Sequence, residues 1–344
     1  MIRLSVSRRQ DRRLSEKSQT VGLVPPLLIL ESPPPLVPPP LRGGGKAGAE
    51  SGGSLPNCTG ESRGGGEPLR PSPQMTVADA HALARTLGAP VTIAAALLAH
   101  LTGRTPTQML TYLETPLPAR LWAHYSDLVT RAAVGEPLAY LTGECEFRDL
   151  TFTITPDVLV PRPETELLID EAVAWAAGRS ALRIADVGTG SGVIAISLAV
   201  HLPQAEVVAT DLSRNALRVA RENAARHGVL NRVHPVQADV LAGVAGPFNL
   251  IVANLPYVRA GELPTLNRWE PRLALDGGPD GLAPIRALLR QAPSRIGPDG
   301  LLLLEIGAEQ GRMAQKAVRE VFPGADISVL TDLAGLERVI RVQL

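Results

Sequence analysis

The sequence predicts an α/β fold: a mostly parallel, seven-stranded sheet ending in an antiparallel hairpin, preceded by a small helical bundle. Three observations predict it. From residue 167 onward, helical segments alternate with apolar runs at 184–187, 207–210, 233–236, 250–253, 301–304, 327–330 and 339–342. Strands separated by helices pair in parallel and are covered on both faces. The last two runs are joined only by residues 331–335, too few for a crossover, so they form an antiparallel hairpin. Between Met75 and about Ala133 the apolar spacing is helical, in short segments.

The 344 residues suffice for two separate cores, and 45% are apolar, ordinary for a globular chain. The formal charge is zero but unevenly divided. Residues 1–74 hold 10 Lys/Arg against 6 Asp/Glu, a net of +4, which leaves −4 for the remainder. That remainder lacks the overall basic balance by which proteins grip phosphate backbones, although a local basic patch stays open. A protein substrate is therefore expected, and nucleic acid is not. Cys58 and Cys145 show no ligand spacing, so no metal site and a reducing compartment are expected.

Taken in order, residues 1–74 carry 12 prolines and 11 glycines. Such a segment cannot bury enough apolar surface to offset its ordering entropy, and a disordered leader is expected. Its apolar stretch at 21–30 is broken by Pro25-Pro26 and is too short to span a bilayer. Arg3, Arg8, Arg9, Arg12 and Arg13 among serines resemble an organelle import signal, but Asp11 and Glu16 fit one badly. A cytoplasmic monomer is expected, and a bolder reading starts translation at Met75. A helical unit follows over 75–135. Thr76 caps a helix to Leu87, a second runs over 91–101, Thr105-Pro106 supplies a cap and a first-turn proline, and Pro118 opens a fourth helix through Val134. Over 136–166 the period changes. Residues 146–155, with Leu150, Phe152 and Ile154 alternating, read as a strand pair leading to 158–160, a hinge ahead of the sheet unit at 167–344.

Two motifs carry the chemistry. Asp186-Val187-Gly188-Thr189-Gly190-Ser191-Gly192 joins the first sheet strand to a helix at 193–201. The three glycines admit positive backbone dihedrals and let a ligand approach bare backbone, so a nucleoside cofactor is expected against this turn. The spacing is G-x-G-x-G, not the G-x-G-x-x-G of dehydrogenases. Asp186 is expected near the cofactor's ammonium group. Asp211 ends the next strand, where its two oxygens suit a ribose diol, and Asp239-Val240 after the third would bracket a base. Each feature alone has a plainer reading, a packing turn or a helix cap for residues from Ser213. Their joint occurrence favours a cofactor site.

The second motif, Asn254-Leu255-Pro256-Tyr257, follows the fourth strand. It offers a side-chain carbonyl, a backbone carbonyl and an aromatic ring to one planar amino group. An amide nitrogen is a poor nucleophile because its lone pair is delocalised. An enzyme must hold both N–H protons and aim the lone pair at the electrophile. Such positioning is worth up to about 7–11 kcal/mol in favourable cases. Together with the glycine turn, this loop points to methyl transfer from S-adenosylmethionine to a planar nitrogen. The plainer reading, a turn punctuated by Pro256, leaves Asn254 and Tyr257 unexplained.

From about Val77 to Leu344 the chain resembles the release-factor glutamine methyltransferases (HemK/PrmC family). Besides the acceptor loop, the resemblance is carried by Gly135-Glu136-Pro137-Leu138-Ala139-Tyr140, by Val160-Pro161-Arg162-Pro163-Glu164-Thr165-Glu166, by residues 270–282, and by Glu305-Ile306-Gly307 with Gln310. It implies a class I S-adenosylmethionine-dependent methyltransferase fold, Rossmann-like, behind a helical substrate-docking domain. It also implies N5-methylation of the glutamine in the Gly-Gly-Gln loop of class 1 peptide-chain release factors. By that resemblance Gly188, Thr189, Gly190, Ser191, Gly192, Asp211, Val240 and Asn254 contact the cofactor. Asn254, Leu255, Pro256 and Tyr257 hold the glutamine, with Asn254 and Tyr257 catalytic, while Phe147, Arg162 and Pro163 line the site. For Arg162 and Glu164 an interdomain salt bridge is an equal alternative. The family loop is Asn-Pro-Pro-Tyr; Leu255 keeps the carbonyl but loses proline's fixed angle. Asn-Leu-Pro-Tyr also occurs in rRNA adenine dimethyltransferases, so adenine-N6 methylation of rRNA or DNA is the alternative, although that family places its extra domain after the sheet. A fold-only binding module is a third.

Overall fold

The structure, a computed structural model, describes residues 74–263 and 268–344. The expected leader disorder, and the early arginines weighed as an import signal, therefore lie outside the described residues. Helices come first: α1 (Val77–Leu87), α2 (Val91–Thr102), α3 (Pro106–Thr111) and α4 (Ala119–Ala133). Thr76 and Thr105 each close a capping box, with Asp79 and Gln108 bonding back to the cap, so two helix starts are satisfied by side chains written into the local sequence. Gly88 and Gly103 end α1 and α2 at φ 79° and 67°, a conformation glycine adopts without a Cβ penalty. Leu97, Leu98, Met109 and Tyr125 fill the centre, and the Tyr125 hydroxyl finds the Ala80 carbonyl at 3.0 Å.

A short α5 (Leu138–Thr142) leads into the hairpin β1 (Glu144–Phe147) and β2 (Leu150–Thr153). The hairpin lies two residues earlier than the alternation implies, because the chain turns at Arg148, whose φ is 52°. Residues 158–160 join no strand ladder. The Val158 carbonyl accepts from the Tyr140 hydroxyl at 2.6 Å, and the Val160 N–H goes to Glu270 at 3.2 Å. Side chains thus satisfy backbone groups that a strand partner would otherwise take.

The remaining elements are α6 (Glu166–Ala176), β3 (Arg183–Val187), α7 (Val193–His201), β4 (Glu206–Asp211), α8 (Arg214–Arg226), β5 (Val233–Gln237), β6 (Phe248–Ala253), α9 (Ala283–Gln291), β7 (Ile296–Glu305), α10 (Gly311–Val321), β8 (Asp326–Thr331) and β9 (Glu337–Gln343). The seven strands stand in the order β5-β4-β3-β6-β7-β9-β8, and only β9 runs against the rest. Side chains alternate between the faces. Leu250, Val252, Leu301 and Leu303 pack beneath α6 and α7, while Ile251, Ala253, Leu302 and Leu304 pack against α9 and α10.

The strand order reverses between β3 and β6, and a crevice opens outside the carboxyl ends there. Val187 is abreast of Ala253, and Ala253 of Leu304. Gly188, Asn254 and Glu305 therefore leave the sheet from three neighbouring strands, although the sequence separates them widely.

Candidate active site

A cavity of about 320 Å³ occupies that crevice. Gly188, Thr189, Gly190, Ser191, Asp211 and Val240 border it from the ends of β3, β4 and β5; Asn254, Leu255 and Pro256 border it from β6, and Arg162 from the segment crossing in front. The glycine turn is pinned from below: the Gly188 and Thr189 N–H groups both donate to the Thr210 carbonyl at 2.9 Å. Gly188 and Gly190 have φ of 76° and 56°. A Cβ on Gly190 would meet nothing within 4 Å, whereas one on Gly188 would come within 2.9 Å of Leu255 Cδ2. The cofactor turn and the acceptor loop therefore touch through Leu255.

Asp186 does not border the cavity, contrary to the place expected for it. It is fully buried behind the turn, where Oδ2 accepts from Thr189 Oγ1 at 2.6 Å and from the Ala195 N–H at 3.1 Å. Burial pushes its carboxyl up to about 7 against those two hydrogen bonds. Asp211 does border the cavity. Its oxygens accept the Gly190 N–H at 3.0 Å and the Ser213 N–H at 2.8 Å, each retaining lone-pair capacity for a diol. Burial raises its carboxyl too, opposed by those backbone bonds. Val240 borders the cavity at φ 58°, a conformation that costs a β-branched residue about 1–3 kcal/mol.

The donor set suits a sulfonium nucleoside. It combines a side-chain-free turn, a carboxylate at the second strand end and apolar contact from Val240 and Leu255. Among the described residues no cluster of three or more His, Cys, Asp or Glu could hold a metal ion, and no helix is long and apolar enough to cross a membrane.

Four expected residues stand outside the cavity lining. Phe147 is 3% exposed and packs edge-on against Phe152, ring centroids 6.3 Å apart, so it belongs to the core. Pro163 opens the short 3-10 turn before α6, which carries it away. Gly192 faces the protein: a Cβ there would lie 3.2 Å from Ala220, so its role is close helix packing. Tyr257 turns its hydroxyl towards Glu305 at 3.5 Å, while its carbonyl accepts from Gln310 Nε2 at 2.9 Å. Burial pushes the phenol up to about 12.

Arg162 pairs with Glu270, Nη2 to Oε2 at 2.6 Å, a salt bridge from the 136–166 segment to the sheet unit of the kind held as the alternative, and it also borders the cavity. Glu270 also takes the Val160 N–H, so one buried carboxylate ties down the segment in front of the cavity. At the segment's other end Asp157 accepts from Asn215 and Arg218 of α8 at 3.0 and 3.2 Å. Asp157, Val158 and Leu159 border the cavity, as sequence reasoning did not foresee. Nor did it find Thr165, whose hydroxyl accepts from Asn254 Nδ2 at 3.0 Å, although Thr165 lies inside the signature at 160–166. With Nδ2 donating there, the acceptor Oδ1 is turned away from Thr165.

Comparison with known proteins bears on both units. Residues 80–143 match the PrmC N-terminal domain and residues 164–268 the Methyltransferase small domain. The chain is 44% identical over 238 residues to the release factor glutamine methyltransferase of Moorella thermoacetica, covering 68% of this chain and 84% of that one. It is 41% identical over 252 residues to the protein of that name from Cereibacter sphaeroides, with 72% and 89% covered. The Bordetella pertussis protein of that name is 40% identical over 257 residues, with 73% and 94% covered. Among solved structures, the ribosomal protein L11 methylase from Lactobacillus delbrueckii subsp. bulgaricus is 26% identical, with 55% of this chain and 82% of that chain covered at a TM-score of 0.42.

Proposed function

The chain belongs to the release factor glutamine methyltransferase family, and from that premise we propose that it methylates the side-chain amide nitrogen of the Gly-Gly-Gln glutamine in a class 1 peptide-chain release factor. The cofactor is S-adenosylmethionine, which when bound supplies an electrophilic methyl group. A single observation carries the assignment of the site: the Asn254 loop and the Gly188 turn leave adjacent strands and meet at Leu255 over one cavity.

The residues then divide the work. The 188–191 backbone and Val240 would cradle the cofactor, with Asp211 accepting from its diol. Asn254 Oδ1 and the Leu255 carbonyl would accept the two N–H bonds of the substrate amide, turning its lone pair towards the methyl. Oriented acceptors suffice because the nitrogen becomes acidic only on methylation, and its proton then leaves to water. Tyr257 would bound the acceptor side from the loop's far end. The helical unit at 75–135 is proposed to dock the release factor. We place the enzyme in the cytoplasm as a monomer. The relatives carry the glutamine name, which leaves the adenine alternative without support.

Incubation with purified release factor and cofactor, followed by peptide mass spectrometry, should add one methyl increment to the Gly-Gly-Gln peptide. Asn254→Ala should abolish the increment with the fold intact. Turnover unchanged in that variant would overturn the assignment of Asn254.

A further inference from the structure

Behind the acceptor loop lies a hydrogen-bonded chain that the chemistry above does not use. Asn254 Nδ2 donates to Thr165 Oγ1 at 3.0 Å, and that hydroxyl donates its only hydrogen to Glu305 Oε2 at 2.7 Å. The Tyr257 hydroxyl donates to the other carboxylate oxygen at 3.5 Å. Both polar side chains of the acceptor loop thus converge on one carboxylate, 1% exposed, at the end of β7.

Proton counting gives the chain a direction. An ionised carboxylate only accepts, so Thr165 must aim its hydrogen at Glu305 and can only accept from Asn254. That fixes the Asn254 amide with its nitrogen on Thr165. A Glu305 protonated on Oε2 would donate to Thr165 instead and free the Thr165 hydrogen. Asn254 rotated to place Oδ1 on Thr165 would then be equally well bonded.

We propose that Glu305, acting through Thr165, is a positioning residue that selects which end of the Asn254 amide meets the substrate, so that Oδ1 and not Nδ2 faces the glutamine nitrogen. The inference rests on the functional reading of Asn254 above. The surroundings make the selection adjustable. Burial pushes the Glu305 carboxyl up to about 7; the Thr165 hydrogen bond and Arg338 of β9 pull it down, Glu164 before α6 pushes it up, and the Tyr257 hydroxyl pulls it down. Arg338 is itself held by Asp332 at 2.8 Å. The oxygen-forward amide is therefore enforced while Glu305 is ionised and released when it takes up a proton.

The test reads Asn254 directly. In the 15N-labelled full-length protein, the Asn254 side-chain amide resonances should titrate near neutral pH. Thr165→Val should uncouple them from that titration, and Thr165→Ser, which keeps the hydroxyl, should preserve it. In single-turnover methylation of a release factor at pH 8, Thr165→Val should slow transfer about tenfold at unchanged cofactor affinity, with Thr165→Ser within about threefold of the parent. Glu305→Gln should erase the acid limb of the rate profile. Amide resonances that do not titrate, or that titrate alike in Thr165→Val and Thr165→Ser, would overturn the proposal, whether or not transfer is observed. A coupled titration in a protein that fails to methylate any release factor would uphold the positioning device and sink the functional reading alone.

Discussion

Leu255 occupies the place where the family loop has proline, and its side chain closes the gap to the glycine turn. It is 6% exposed and packs into the same core as Val187 and Ala253. Gly188→Ala tests this contact. The new Cβ would lie 2.9 Å from Leu255 Cδ2 at a φ of 76°, adding an overlap to a left-handed conformation that costs about 1–2 kcal/mol for a side chain. Cofactor affinity, measured by calorimetry, should fall at least about tenfold. Gly188→Ala with Leu255→Ala should recover the part owed to the overlap and not the part owed to the dihedral; no recovery would refute the contact. That Gly188, Gly190, Asp211, Val240 and Asn254 border one cavity was legible because each position is set locally by a turn or a strand end. Phe147, expected to line the site, packs into the core instead, because a ring at a strand end can face either side and only packing decides. Thr165 and Glu305 escaped because their mutual contact spans 140 residues.

At the level of elements, the segment 157–162 bridges the cavity mouth from α8 to Glu270. Neither anchor is a backbone ladder, so the strap is as firm as its side chains. Glu270→Ala would leave the Val160 N–H and the Arg162 guanidinium without their shared acceptor. Arg162 is 42% exposed at its side chain, so water compensates part of the loss. Cofactor dissociation, followed by stopped flow, should quicken roughly fivefold to tenfold, by loss of one charge-assisted and one ordinary hydrogen bond. An unchanged rate would mean that the strap does not retain the ligand. The elements themselves were largely readable: α7 begins and ends where the periodicity put it, and the seven strands differ from expectation mainly by ladder residues added at their ends. The strap was not readable, since its apolar residues mimic a strand while lacking a neighbour to pair with.

For the whole molecule, two buried carboxyls tie stability to pH. Burial pushes both Asp186 and Glu305 up to about 7, so between the ordinary carboxylate range and neutrality the folded chain holds protons that the unfolded chain releases. Stability from these groups is complete below their unfolded values and is lost as pH rises through about 7. Asp280 and Asp332 shift downward through their bonds to Arg286 and Arg338, and act in the opposite sense at lower pH. Thermal unfolding of the cofactor-free protein should show a midpoint that falls between about pH 5 and pH 7.5. Asp186→Asn and Glu305→Gln should each flatten that fall, and a slope unchanged in both would show that these carboxyls ionise normally. A longer-range consequence follows from Gly188, Asn254 and Glu305 issuing from three consecutive parallel strands. The sheet acts as a ruler for the reaction: inserting one residue into β6 would carry Asn254 past its neighbours and turn alternate side chains inside out. The connecting loops carry no such constraint, so inherited length changes should collect there while the three strand ends stay level.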